Sequence, residues 1–437
     1  MKKGYVYSIG GGILILLGHI WFSNSGALLQ TGGAGIYLAI GRLTGLLLSC
    51  SILFQFVIIG RVGWIEKIFG LDTLSKLHHW IGFSTIVSLV THPVCIALAY
   101  GWGLPNSIFH KITSLLFSGD EITGATVGAL LFIIITISSV YVVLKKLKYE
   151  YWYAIHLCTY IAVIISFSHQ IELGGDLQET VPRTIWIVLY MCAGLIYMWF
   201  RFIKPITIYY RHRFYVDHVV EETPSVYSIY ITGKNMEIFR YIPGQFIMAR
   251  FLEKGVWYEA HPFSISVGKG VGNIRLTIKS SGDYTKKLPR HIHPGTRVFI
   301  EGPYGIFGNA VSKENKVLCL AGGIGITPIR SVIEQMKEKN TDVKILASFR
   351  THTDAVFKEE ISQFISDENI AFVYTHESPY EGHIQNISHT TVLNFCPDVQ
   401  ERSIYLCGPT AFMKTMKTIL LHQGVPQNHI HYERFSL

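Results

Sequence analysis

The sequence predicts a multi-domain membrane protein: a six-helix transmembrane bundle, then an antiparallel β-barrel, then an α/β doubly wound domain. Three observations carry this. The first 205 residues are mostly apolar; over all 437 residues, 49% are hydrophobic and 16% charged, with a mean hydropathy of +0.32, too apolar for a wholly soluble chain of this length. Residues 206–308 break into short β-rich runs separated by Gly, Pro and Asn, as in a small antiparallel barrel. From Lys313 onward strands and helices alternate, the pattern of a parallel sheet with helices on its faces. The expected domains are 1–205, 206–310 and 311–437.

Spans are expected near 5–22, 36–59, 77–100, 124–144, 152–171 and 184–203, each close to the ~20 residues that cross a bilayer. Lys2, Lys3, Arg61, Lys67, Lys76, Lys145, Lys146, Lys148, Arg201 and Lys204 fall on one side, and Asp120, Glu121, Glu172, Asp176 and Glu179 mostly on the other. The positive-inside rule then puts both termini in the cytoplasm. Met1-Lys2-Lys3 and its apolar run read as a retained span, because no small-residue cleavage site is evident and further spans follow. The net charge of +8 needs no nucleic acid, since much of it flanks spans, and no nucleic-acid-binding motif appears. Seven cysteines, an odd number with no CxxC, argue against a disulfide framework or a zinc site.

The bundle is organised around histidines. KLHHWIGFSTIVSLVTHP (76–93) carries His78, His79 and His92, and YWYAIHLCTYIAVIISFSH (151–169) carries His156 and His169. Metal-binding side chains inside apolar spans are costly and usually functional, and imidazole suits iron, including haem iron. His78 to His92 is 14 residues, about 21 Å of rise and a return to within about 40° of the starting face. His79 lands about 140° away, so His78 is the preferred partner. His156 to His169 is 13 residues, which a straight helix does not accommodate; a kink, tilt or tightened turn is needed. Matched by depth, the four form an inner pair, His78/His156, and an outer pair, His92/His169. Arg42, a lone arginine in the second span, meets either a haem propionate or the outer interface by snorkelling. His19 has no partner at matching depth and reads as interfacial or packed; His79 packs or meets a propionate.

In the polar half, LAGGIGITP (320–328) joins a strand to a helix through glycines: either a phosphate cradle, with Gly322, Gly323, Gly325, Thr327 and Pro328 at a helix N-terminus, or a plain tight turn. YLCGP (405–409) ends another strand, so two glycine-rich turns would face one crevice. There Cys407, Gly408 and Pro409 would flank a nicotinamide, unless Cys407 is simply a small buried residue. In HPFSIS, His261, Pro262, Phe263, Ser264, Ile265 and Ser266 form a flavin-contact candidate, Phe263 stacking on the ring and Ser264 donating to a flavin nitrogen. KSSGDYTKKL offers Lys279, Gly282 and Thr285 for a phosphate, and GPYG closes the barrel. In HYERFSL, Phe435 either lies against the flavin or anchors the last strand. Ser264, Cys407 and Phe435 are the candidate catalytic residues, being those set against the reacting rings. After the second strand of the last domain, Ser348 and Arg350 favour the 2′-phosphate of NADPH, with NADH possible if Arg350 is only a solvated charge.

In order and in combination these motifs resemble the ferric reductase and NADPH oxidase superfamily over nearly the whole chain. His78-x-Trp80-Ile81-Gly82, His92-Pro93 and the His156/His169 pair resemble its haem-binding helices; that family accepts 13- or 14-residue spacing. His261-Pro262-Phe263-Ser264, Gly322-Gly323-Ile324-Gly325 and Cys407-Gly408-Pro409 resemble its ferredoxin-reductase-type module. The resemblance implies an electron wire in a bacterial plasma membrane: cytoplasmic NAD(P)H, FAD, an inner and an outer haem b, then an outside acceptor, oxygen giving superoxide or ferric iron. Bis-histidine ligation implies reaction at the outer haem edge. In superoxide-producing relatives a polar residue follows the outer histidine by one turn; Ile96 stands there. No EF-hand pattern is present, so constitutive activity is expected. The alternatives are an electron-transfer subunit serving a partner redox protein, and a transporter with a histidine-lined path.

Overall fold

The computed structural model describes residues 3–103, 105, 108–116, 120–144, 146–268, 272–309, 314–377 and 387–433; Lys2, Lys145 and Phe435 lie outside them. The chain divides into two compact units, Met1–Val62 with Ser75–Met198, and Gly63–Leu74 with Trp199–Leu437.

The helices of the first half are α1 (Lys3–Ser25), α2 (Gly33–Ile59), α3 (Gly63–Phe69), α4 (Leu71–Tyr100), α5 (Ile108–Leu116), α6 (Asp120–Val143), α7 (Tyr149–Ile165), α8 (Phe167–Leu173), α9 (Thr180–Met198) and α10 (Lys204–His212). Among the described residues six stretches are long and apolar enough to cross a membrane: Lys3–Gln30, Gly33–Ile59, Leu71–Tyr100, Ile122–Val143, Tyr151–Leu173 and Thr180–His212. The expected break in the fifth is present: α7 ends at Ile165, α8 restarts at Phe167, and His169 sits in the first turn of α8. The sixth overruns its expected end at 203. It continues through a π-helical turn, Trp199–Ile203, into α10, so TIYYRH is helix rather than the first barrel strand. Pro205 is tolerated in the first turn of α10, and elongating a formed helix is cheaper than nucleating a new element.

The barrel consists of β1 (Tyr215–Thr223), β2 (Val226–Thr232), β3 (Phe246–Phe251), β4 (His261–Ser264), β5 (Ile274–Lys279), helix α11 (Asp283–His291) and β6 (Val298–Tyr304). Two three-stranded antiparallel sheets, β1-β2-β5 and β4-β3-β6, face each other. Alternation sends Ile247, Ala249 and Phe251 of β3, with Ile229, Leu276 and Ile300, into a shared core. Phe246 and Met248, on the opposite face of β3, cluster with Tyr304.

The last domain runs β7 (Lys316–Gly322), α12 (Ile326–Glu338), β8 (Asp342–Phe349), α13 (Lys358–Ser362), β9 (Ile370–Tyr374), α14 (His389–Phe395), β10 (Ser403–Cys407), α15 (Thr410–His422) and β11 (Ile430–Glu433). Its five strands are parallel in the order β11-β10-β7-β8-β9. The chain winds outward from β7 and returns to β10 on its other side, so a switch point falls between the C-terminal ends of β7 and β10.

Candidate functional site

In the helical unit, α4 and the α7–α8 pair bring the four histidines together as two facing pairs. The rings of His78 and His156 are 6.2 Å apart, centroid to centroid, and those of His92 and His169 are 6.5 Å apart. Half of either separation is close to a metal–nitrogen bond of about 2 Å plus the radius of an imidazole ring. His92 Nδ1 lies 2.7 Å from the Gly41 carbonyl oxygen; a proton donated there leaves Nε2 free as a ligand. The Nδ1 atoms of His78 and His156 are buried without a protein partner. No group of three or more His, Cys, Asp or Glu side chains capable of holding an ion is found among the described residues. A two-histidine pair suits a metal whose remaining ligands come from its own macrocycle, so the residues fit haem.

Approach of α2 to the outer pair depends on Gly41 and Gly45. A Cβ at Gly45 would lie 2.8 Å from His92 Nδ1, and one at Gly41 2.7 Å from Ile96 Cδ1. This is a GxxxG helix contact, legible in GRLTG but not picked out by the histidine pattern. A cavity of about 520 Å³ beside the pair is lined by His92, His169, Ile96, Gln170 and Trp186, within the ~300–1,000 Å³ range of cofactor sites. Gln170 Oε1 accepts hydrogen bonds from Trp186 Nε1 at 3.0 Å and Tyr190 Oη at 2.9 Å, fixing the turn that carries His169.

Arg42 lines the same cavity, and its partner within the protein is Asp176. Arg42 Nη1 stands 3.6 Å from Asp176 Oδ1 and donates to Ser25 Oγ at 3.2 Å, and Ser25 Oγ donates to Asp176 Oδ1 at 2.5 Å. A Cβ on Gly175 would lie 2.2 Å from the guanidinium carbon, so a larger residue there would displace the Arg42 side chain. An unpaired charge at depth costs roughly 2.5–3.5 kcal/mol, which this cluster offsets. Asp176→Asn should lower stability by about 1–3 kcal/mol, under the fully buried limit because Arg42 keeps some solvent access; thermal unfolding of the purified protein measures it. His19 and His79 are both exposed.

In the second unit, strand ends converge. Gly322 closes β7, Cys407 closes β10 and Glu433 closes β11. A Cβ on Gly325 would lie 2.4 Å from the Cys407 carbonyl oxygen, and one on Gly408 3.0 Å from Gly322 Cα. The two glycine turns therefore meet backbone to backbone and frame one crevice, as their spacing predicts. Pro409 caps α15. Cys407 is fully buried; its Sγ lies 3.6 Å from the Glu433 carbonyl oxygen, and burial pushes the thiol up. The Thr327 hydroxyl donates to Ile324 O at 2.9 Å, steadying the turn, and Pro328 is buried in α12. Ser348 lies near the end of β8 and Arg350 is exposed just beyond it.

On the barrel, the pleat divides the HPFSIS motif. Ser264 pairs with Phe246 across β3–β4, on the face away from the core, and its Oγ is buried without a protein partner. Arg250 shares that face by alternation, and its Nε is likewise unpartnered. These orphaned donors suit a flavin cofactor with its phosphates. Phe263, expected to stack on a ring, instead packs in the barrel core with Ile265, and Ser266 is fully buried with its hydroxyl on Thr277 Oγ1 at 2.8 Å. Period-two alternation turns Phe263 inward. His261 Nε2 is 2.8 Å from Glu259 Oε2, and its ring stacks on Tyr284 at 4.1 Å; Pro262 shares the outward face. Lys279 ends β5, and Gly282 caps α11. Thr285 Oγ1 accepts the Gly282 N–H at 2.9 Å, so this hydroxyl serves the cap.

Two carboxyls at this crevice were missed from sequence. The Gly305 N–H donates to Glu66 Oε1 at 2.7 Å, and a Cβ at Gly305 would lie 3.6 Å from Glu433 Oε2. Burial, then the Asp72 and Glu66 charges, push Glu433 up to about 8; burial also raises Glu66. An acidic residue in the otherwise β-prone HYERF was the available signal.

Three family models match the chain: a ferric reductase like transmembrane component over residues 41–167, an FAD-binding domain over 222–307 and an oxidoreductase NAD-binding domain over 319–418. The chain is 29% identical over 240 residues to a glycine betaine monooxygenase reductase subunit of Chromohalobacter salexigens, covering 52% of this chain and 64% of that one. It is 29% identical over 252 residues to flavohemoprotein B of Dictyostelium discoideum, covering 51% and 59%. The chain thus spans about three fifths of the length of these relatives. The FAD/NAD-binding domain of a Vibrio cholerae nitric oxide dioxygenase aligns at 24% identity and a TM-score of 0.46, over 51% of this chain and 97% of that one. With its six apolar helices and these three matched regions, the chain is an integral membrane protein of ferric reductase/NADPH oxidase-type architecture, carrying a ferredoxin-reductase-type module.

Proposed function

We propose that this protein is an NAD(P)H-dependent transmembrane oxidoreductase that moves electrons from cytoplasmic NAD(P)H through FAD and two b-type haems to an extracytoplasmic acceptor, oxygen giving superoxide or ferric iron. The observation that carries the reading is the pairing of four histidines into two facing couples, 6.2 and 6.5 Å apart, in a chain that also has FAD- and NAD-binding domains. When bound, FAD supplies conversion of a two-electron donor to one-electron chemistry, and haem iron supplies one-electron carriage.

The chain's own residues have assignable tasks. His78 and His156 would hold an inner haem, and His92 and His169 an outer one. A haem held there would supply one-electron carriage, and Ile96 keeps the adjoining cavity wall apolar. Ser264 would offer its hydroxyl to a bound flavin ring. Gly322, Gly325, Gly408 and Cys407 admit the nicotinamide end, and Arg350 favours a 2′-phosphate, hence NADPH over NADH. Each NAD(P)H delivers two electrons and leaves one proton, which Glu433 and Glu66 are placed to exchange at Gly305. Both termini and the nucleotide module lie on the cytoplasmic side, by the positive-inside rule.

A second reading, delivery to a partner redox protein, is favoured by one relative's being a monooxygenase reductase subunit. One experiment separates them. Haem-loaded protein is reduced anaerobically with NADPH or NADH, then mixed with oxygen or a ferric chelate. Fast haem reoxidation by oxygen with two superoxide per nucleotide marks an oxidase, and fast reoxidation by the chelate alone marks a metalloreductase. Slow drainage by both moves the partner-protein reading to first place, and protein that stays colourless after haem supply sinks the wire altogether.

A further inference from the structure

Helix α12 begins directly after the glycine turn at 322–325, and three of its residues reach the barrel or a shared charge network. Ser331 Oγ accepts the Gly244 N–H at 2.8 Å, just before β3. Glu334 Oε2 accepts the Gly268 N–H at 2.7 Å, just after β4. Arg330 Nε donates to Glu360 at 2.9 Å, and Glu360 also receives Arg275 Nη1 at 2.8 Å. Arg275, on β5, completes the chain by donating to Glu222 at 2.7 Å and to Ser228 Oγ at 3.0 Å. Arg275 and Arg330 are 5% and 8% exposed, so the two guanidiniums are buried while their carboxylate partners keep some solvent access.

The barrel backbone is shaped for this contact. A Cβ on Gly268 would lie 2.6 Å from the Glu334 carboxyl carbon, and Gly244, at φ +86°, would place one 2.9 Å from Val332. Buried ion pairs add little net stability over a well-packed apolar seam, but each partner must find its mate in one geometry. The strands anchored are β3 and β4, whose outward face carries Ser264 and Arg250. The helix anchored is the one that carries the glycine turn.

We propose that Arg330, Ser331 and Glu334 of α12, together with Arg275, Glu222 and Glu360, form a positioning clasp that sets the approach of the nicotinamide to the flavin. This rests on the reading that NAD(P)H reduces a flavin in this module. Hydride transfer needs reacting atoms about 3–3.5 Å apart, and misplacement by about 1 Å can cost about a hundredfold. The clasp residues touch neither ring; they hold the two binding surfaces in register.

The test uses the full-length, FAD-loaded protein in nanodiscs, with Gly268→Ala, which pushes Glu334 away, and Arg330→Lys, which keeps the charge but loses the fork that reaches both Glu360 and Glu334. Anaerobic stopped-flow with NADPH should show the limiting rate of flavin reduction falling about tenfold or more. The Kd for NADPH and the FAD occupancy should stay within about twofold of wild type, and the long-wavelength nicotinamide–flavin charge-transfer band should weaken. Wild-type rates with an unchanged band in both variants overturn the clasp. So does a rate loss that merely tracks lost FAD or lost folded protein, which marks a structural role. A wild-type flavin that neither NADPH nor NADH reduces instead removes the parent reading, and the clasp's purpose with it.

Discussion

His92→Leu should reduce haem content from two per chain to one while leaving flavin reduction by NAD(P)H at its wild-type rate. The ring of His92 faces His169 across 6.5 Å and is oriented by the Gly41 carbonyl at 2.7 Å. Leucine fills similar volume beside Gly41 and Gly45 but supplies no imidazole to hold a haem. Steady-state transfer to oxygen or a ferric chelate should drop by about a hundredfold or more, since the proposed wire has no other carrier at that level. The pyridine haemochrome assay counts the haem, and anaerobic stopped-flow measures the flavin step. His169→Leu should behave alike, whereas His79→Leu, at an exposed position, should retain both haems. Unchanged haem content in the His92 and His169 variants would falsify the outer-pair assignment.

Gly325→Ala should abolish nucleotide-driven reduction while sparing haem. The added Cβ would meet the Cys407 carbonyl oxygen at 2.4 Å and the Gly408 nitrogen at 2.6 Å, and backbone cannot step aside as the end of a flexible side chain could. The two turns must separate, and the crevice between β7 and β10 changes shape where the nicotinamide is expected. A loss of about a hundredfold or more in the limiting rate is expected, with FAD occupancy nearly intact because Ser264 and its face of the barrel belong to another sheet. Dithionite should still reduce the haems fully. An alanine variant that turns over normally would show that the glycine run is only a tight turn.

Much of this was legible in the chain. Fourteen-residue spacing selects His78 over His79, and His79 is indeed exposed while His78 faces His156. The awkward 13-residue spacing demands a bend, and α7 breaks before α8 to supply it. The two glycine turns meet as expected. Other points were not readable. HPFSIS marks a strand, but not which residues face out; the pairing of Ser264 with Phe246 decides that Ser264 is available and Phe263 is core. Arg42 signals a buried charge, but Asp176 and Ser25 are distant in the chain and join it only through helix packing. Glu66 sits in a short helix between two apolar spans, yet its segment belongs with the nucleotide module.

What the sequence determined by itself is the kind and order of the elements and the chemistry each can host. Hydropathy, a period of two or of 3.6, and a few glycines and histidines at set spacing are local properties of the chain, and local propensity expresses them directly. What only the tertiary structure decided is which groups meet: the rings of His92 and His169, the cluster of Arg42 with Asp176, the two carboxyls at Gly305, and the Arg330–Glu360–Arg275 chain that ties α12 to the barrel. Those pairings join residues far apart in the chain. They are selected because a desolvated charge or polar group must find its partner somewhere in the folded core, a requirement that no local stretch of sequence can satisfy or reveal.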